Sequence, residues 1–215
     1  MEARTVTAED YLKSLDEFTL YKGFASLSDI AHLLNTTRQS AYDEIKILLQ
    51  KGFVNKQDRG KYVLSSAGQQ AANLFLRKHR IAEILLWKGL SMKWEQIDDQ
   101  AMGIEHGITE DIARAVCQKF GCETCPHGNP VPDIMGNVSE INDLTMDELS
   151  PGKSYKVSRV IFENREILEF LGQNSLLPGA IVDTDEQNAL HGRNCREAGI
   201  PKHIGRALRY LIYEE

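Results

Sequence analysis

Three short runs of this chain carry side chains able to grip a metal ion. DDQAMGIEHGI, residues 98–108, places Asp98, Met102, Glu105 and His106 within nine residues. RKHRIAE, residues 77–83, sets His79 and Glu83 four apart. On a helix that spacing puts both side chains on one face, where two groups can hold one ion. CQKFGCETCPH, residues 117–127, offers Cys117, Cys122, Cys125 and His127, and its Cys-x-x-Cys-x-His has the spacing of half a zinc site. No second pair stands at a distance to complete that site, so packing is the expected role of Cys117 and Cys122. Each run also has a plainer reading. A His–Glu pair can be a surface ion pair, Met102 can fill a core, and a further carboxylate near the start of the chain, Asp10, can serve Thr7 in a capping box.

The elements that must position these groups follow from periodicity. Thr7 and Asp10 open a first helix whose Tyr11, Leu12, Leu15 and Phe18 share one face. Ser28 is the expected cap of a second, DIAHLLN. Thr37 caps a third, RQSAYDEIKILLQK, with Ala41, Ile45, Leu48 and Leu49 inward, and Gly52 ends it in a left-handed turn. FVNKQDRGKYVL then reads as a hairpin about Asp58, Arg59 and Gly60. Three helices and a hairpin are the order of a winged helix-turn-helix. Its third helix would offer Thr37, Arg38, Gln39, Ser40 and Tyr42 to bases or phosphates, and its wing Lys56, Arg59 and Lys61 to the DNA backbone. Ser65 caps the long helix that carries His79 and Glu83. A further helix, near Lys93 to His106, stacks Asp98, Met102 and Glu105, and another begins at Thr109 and ends before Gly121.

Charge is unevenly spread. The net −6 divides into +2 over residues 1–87, −8 over 88–150 and zero over 151–215. Overall acidity therefore does not exclude a DNA-binding first segment, and the weak positive charge favours a dimer that shares the electrostatic work. No apolar run is long enough to span a bilayer, and the start MEARTVTAED does not read as a signal peptide. Four cysteines in a chain without secretory features point to a reduced, cytoplasmic setting.

RKHRIAE at 77–83, EHGIT at 105–109, CPHGNPVP at 125–132 and AEDYLKSL at 8–15 together resemble the diphtheria-toxin-repressor family of iron- and manganese-dependent transcriptional repressors. The resemblance runs from residue 1 to about 135. It implies a homodimer with two metal sites per chain. Asp10, Met102, Glu105 and His106 fall at the regulatory site, and His79, Glu83 and Asp98 at the ancillary one. Arg80, with Cys125 or Asn129, falls near an anion beside the ancillary metal. PVPDIMGNVSEIND reads as a linker. The strand KSYKVSRVIF, the helix ENREILEFLGQ, the turn and strand of LPGAIVD and the closing RALRYLIYEE resemble the small SH3-like barrel found in family members and in FeoA-like iron-transport accessory proteins. Glu163 and Glu166 then stand where a barrel donates ancillary ligands, or as acids at the positive end of a helix dipole.

The expected fold is mostly α with a small β part: a winged helix at 1–72, a helical metal-binding and dimerisation domain at 73–138 and an SH3-like barrel at 141–215. The expected function is a metal-activated repressor bound to a double-stranded DNA operator, with no membrane role. It is not an enzyme, because the ligands can be read without an open coordination position or a general base. The regulatory set pairs hard Asp10 with soft Met102. Fe²⁺ accepts N, O and S together while Mn²⁺ gains little from a thioether, so Fe²⁺ is favoured and Mn²⁺ is the alternative. Asp98 stands where iron-type members carry histidine, and TTRQSAYD lacks the proline common in the family's recognition helix. A winged-helix regulator of an organic ligand is the rival of a different class.

Overall fold

The computed structural model describes residues 6–195 and 199–213. They divide into two compact units, one running to residue 79 and including 132–138, the other of 80–131 with the described residues from 139 onward.

The first unit contains α1 (Ala8–Lys22), α2 (Leu27–Leu33), α3 (Arg38–Gln50), the hairpin β1 (Val54–Gln57) and β2 (Lys61–Leu64), and the start of α4 (Ser66–Ile84). Leu15, Ile30, Ile45, Leu48 and Phe75 are its most deeply buried large side chains. Ile45 and Leu48, three apart, share one face of α3, and Leu15, Ile30 and Phe75 each come from a different helix, so all four helices contribute to the buried interior. The caps act at single residues. Thr37 accepts from Ser40 N–H at 3.0 Å, and Ser65 from Gly68 N–H at 3.0 Å. The second helix starts earlier than the expected cap at Ser28. Ser26 caps it, because Asp29 three residues on completes a box, accepting from Ser26 N–H at 2.8 Å and from its hydroxyl at 2.6 Å. Ser28 has Ala31 at that offset and no such partner. Of the inward set on α3, Leu49 is only half-buried. The expected linker is partly ordered against α4: Asn73 donates to Gly136 O at 2.9 Å and Arg77 to Pro132 O at 3.0 Å.

The second unit begins within α4, which passes into a π turn at Leu85–Gly89. After it come a 3-10 turn at Trp94–Gln96, α5 (Ile97–Ile104), a 3-10 turn at Glu105–Gly107 and α6 (Glu110–Phe120). The expected single helix from Lys93 to His106 is therefore shorter. Gly103 and Gly107, poor helix formers, flank the point where it tightens, and Glu105 and His106 lie on that last turn. Beyond the 3-10 turn Met146–Glu148 come β3 (Ser154–Val160), α7 (Arg165–Gln173), β4 (Ile181–Thr184), β5 (Leu190–Gly192), α8 (Lys202–Arg206) and β6 (Leu208–Ile212). The strands form an antiparallel sheet in the order β5-β4-β3-β6, and β5 was not foreseen in the sequence. Its register slips between Val157 and Arg159, a bulge centred on Ser158. Ile167, Leu168 and Leu171 of α7 and Tyr210 of β6 are fully buried, and the Tyr210 hydroxyl donates to Gly205 O at 2.7 Å. No helix among the described residues is long and apolar enough to cross a membrane.

Candidate metal centre

Within the second unit, Glu83, Cys125, His127 and Glu163 each bring a ligand atom to one place, all within 4.8 Å of one another. Asp98 lies within the same limit of Glu83 and Glu163. Glu83 comes from the last turn of α4 and Asp98 from the first turn of α5. Glu163 immediately precedes Asn164, the N-cap of α7.

Cys125 and His127 come from a small hairpin after α6. Cys125 N–H donates to Asn129 O and Gly128 N–H to Cys125 O, both at 2.9 Å, while Val131 N–H reaches Glu123 O at 3.0 Å. Gly128 has φ +87, and a Cβ there would stand 2.5 Å from Ser158 O and 2.9 Å from Arg159 Cα. Only glycine lets this turn approach the bulge in β3. Val160 N–H donates to His127 O at 2.9 Å and completes the docking.

The side chains are held as firmly. His127 Nδ1 lies 2.6 Å from Glu83 Oε1 and 2.9 Å from Glu163 Oε2, and its other nitrogen is 3.4 Å from Trp94 O. The Trp94 ring meets the imidazole edge-on at 4.6 Å and donates its N–H to Pro126 O at 2.9 Å. Asn129 donates to Glu163 Oε1 at 2.7 Å and to Val160 O at 2.6 Å, and Arg80 to Pro130 O at 2.6 Å.

The electrostatics show what such a place requires. Burial alone would lower the His127 pKa, but Glu163 and Glu83 overcome it and hold the ring well above the usual histidine range. Burial raises Glu163, with Glu83 adding to it. Burial, then Glu83 and Glu163, push the Cys125 thiol well up. Several acids share one dry site and draw positive charge into it. A divalent cation answers that demand, and two or three carboxylates, an imidazole and a sulfur form a mixed donor set of the kind that borderline ions such as iron or zinc accept. The residues fit a metal.

Of the expected ancillary ligands, the structure brings Glu83, Asp98 and Glu163 together. His79 lies one turn before Glu83 on α4, and Lys13 Nζ stands 3.1 Å from its Nε2. Glu166 is not brought in. It is exposed on the first turn of α7, 3.8 Å from His203, the place of an acid at a helix N-terminus. Sequence reasoning missed Cys125 and His127 as partners of Glu83. The signal was Cys-x-His itself, read there with Cys122. That pairing is corrected here: Cys122 is joined to Cys117 in a disulfide, so neither packs as a free thiol.

The expected regulatory residues divide between the units. Asp10, on α1, is buried and accepts from Thr7 N–H at 2.7 Å and from its hydroxyl at 2.9 Å. In the second unit Met102 is half-buried, Glu105 fully buried and His106 exposed, its Nε2 4.0 Å from Glu105 Oε1. The expected DNA-contacting residues Thr37, Arg38, Gln39, Ser40 and Tyr42 are all exposed along the start of α3, and Lys56, Arg59 and Lys61 are exposed on the hairpin.

Residues 65–133 match a family profile described as "Iron dependent repressor, metal binding and dimerisation domain". Among solved structures, IdeR of T. acidophilum is 43% identical with a TM-score of 0.93, covering 98% of this chain and 100% of that one. The chain belongs to the diphtheria-toxin-repressor family of iron- and manganese-dependent repressors. That family consists of transcriptional repressors, not enzymes. The iron-dependent repressor IdeR of Mycobacterium leprae is 27% identical over 131 residues, a match spanning 60% of this chain and only 56% of that protein. The manganese regulator SloR shares the fold, with 22% identity and a TM-score of 0.82 over 98% of this chain and 100% of that one.

Proposed function

We propose that this family member is a metal-activated DNA-binding repressor that works as a homodimer, with Fe²⁺ as its activating ion. The observation that carries the reading is the buried Glu83, Cys125, His127 and Glu163 cluster, whose acids and sulfur call for a divalent cation. It supports a metal-dependent protein, and the exposed polar start of α3 with its basic wing supports a DNA ligand. Asp10, Met102, Glu105 and His106 take the regulatory role, with His79, Glu83, Asp98 and Glu163 ancillary and Arg80 and Asn129 beside them.

The preference for iron rests on donor softness. Thioether Met102 in the regulatory set and the Cys125 thiol beside ancillary Glu83 and Glu163 suit Fe²⁺ better than Mn²⁺. A bound metal supplies positive charge that holds these acidic groups together, so the ligated arrangement gains population and DNA affinity rises with it. Titrating operator binding with Fe²⁺, Mn²⁺, Zn²⁺ and chelator at one salt concentration tests this. Fe²⁺ is expected to activate at the lowest free concentration, and activation by Mn²⁺ alone would overturn the iron assignment.

A further inference from the structure

A disulfide closes the turn that leads into the donor cluster. Cys117 lies on the last turn of α6 and Cys122 just beyond its end, and the two are covalently joined. Gly121 N–H donates to Cys117 O at 2.9 Å, and Lys88 Nζ donates to Phe120 O at 2.8 Å. The same turn is thereby tied to the π segment that begins two residues after Glu83. One residue after Cys122 the hairpin of Glu123–Val131 begins, and it carries Cys125 and His127 inward. Both disulfide partners are half-buried and within reach of a small thiol, whereas Cys125 is buried.

We propose that the Cys117–Cys122 bond is a thiol–disulfide switch that sets the metal affinity of the Glu83, Asp98, Cys125, His127 and Glu163 cluster. The proposal rests on reading that cluster as a metal site. With the bond intact, the end of α6 and the start of the hairpin are clamped, and the hairpin that carries Cys125 and His127 leaves from a fixed point. Two molecules of a small thiol such as glutathione reduce it. The S–S bond breaks, each protein sulfur takes up one electron and one proton, and the two small thiols leave as one disulfide. The opened turn samples more conformations, so gathering the ligands costs more entropy and metal binds less tightly. By linkage, metal favours the disulfide by the same factor.

The test uses the full chain. Under denaturing conditions, thiol titration should find two free thiols of the four cysteines before reduction, and all four after it. Co²⁺ is then titrated and followed by the sulfur-to-cobalt charge-transfer band that Cys125 ligation produces. The samples are oxidised protein, protein reduced and freed of reductant, and the C117S/C122S variant, each checked for folding by circular dichroism. Oxidised protein should bind Co²⁺ roughly 5-fold or more tightly than the other two. Saturating Co²⁺ should shift the glutathione equilibrium of the pair by that same factor.

Equal affinities in all three overturn the switch. So does tighter binding by reduced wild type alone, which would make Cys117 and Cys122 ligands instead. A charge-transfer band without redox dependence leaves the metal reading standing, whereas its absence from oxidised protein defeats that reading and the switch with it. If the variant fails to fold, the comparison of oxidised with reduced wild type decides.

Discussion

Cys125 and His127 show how residue type alone can mislead about partnership. Their spacing was plain in the sequence, but the sequence offered Cys122 as the nearest third ligand. The fold instead gives them Glu83, which is 44 residues from His127, and Glu163. Such distances are set by docking, here by Gly128 against the Ser158 bulge, and no local pattern encodes them. His127→Ala should therefore weaken metal binding by the second unit. Asn129→Ala, which removes the donor orienting Glu163, should cost less, about 10–100-fold, as loss of a ligand's supporting hydrogen bond does. Isothermal titration of both variants checks the ranking, and an unchanged His127→Ala affinity would remove that residue from the site. Met102 admits a separate test. Met102→Glu adds a hard anionic donor and should raise the Mn²⁺ response relative to Fe²⁺. If the thioether only fills space, the same change lowers melting temperature and leaves the metal ranking untouched.

At the scale of elements the sequence was most legible where one residue decides the backbone. Thr37, Gly52 and the Asp58-Arg59-Gly60 turn were read correctly because caps and left-handed positions are local chemistry. β5, three residues long, had too little pattern to find, and the glycines that shorten α5 compete with an otherwise helical periodicity. Two predictions belong here. Gly128→Ala should destabilise the second unit by about 1–3 kcal/mol, since it combines a disfavoured φ with a Cβ pressed into backbone. It should also lower metal affinity, because the same turn carries His127; thermal melts with and without metal would show both effects. Asp29 gives a pH signature. Burial would raise its pKa, but the Lys22 ammonium and the Ser26 hydroxyl and N–H lower it. A depressed folded-state pKa contributes stability that is present above the ordinary aspartate value of about 3.9 and is lost as pH falls through the folded value. Asp29→Asn should flatten that acid limb in melts recorded against pH, and an unchanged limb would deny the cap its electrostatic part.

The whole molecule is proposed to act as a dimer, and exposed apolar side chains are the surface proposed for the contact between copies. Trp87, Leu90, Ile104 and Ile112 are 40%, 64%, 39% and 40% exposed on the segment matched to a dimerisation domain. Large apolar groups left in water on such a segment favour a partner surface. Leu90→Glu should shift sedimentation toward monomer and weaken operator binding, since one half-site alone gives few phosphate contacts. Metal dependence was legible in the sequence only through the joint spacing of its motifs, because acidity and composition by themselves did not speak for metal. The central claim is thermodynamic: metal and operator bind the same arrangement of the chain. Its most direct test measures operator affinity with and without Fe²⁺, and Fe²⁺ affinity with and without operator, at one ionic strength. The two ratios should be equal and well above one. Equal operator affinity in chelator and in Fe²⁺ would contradict the account.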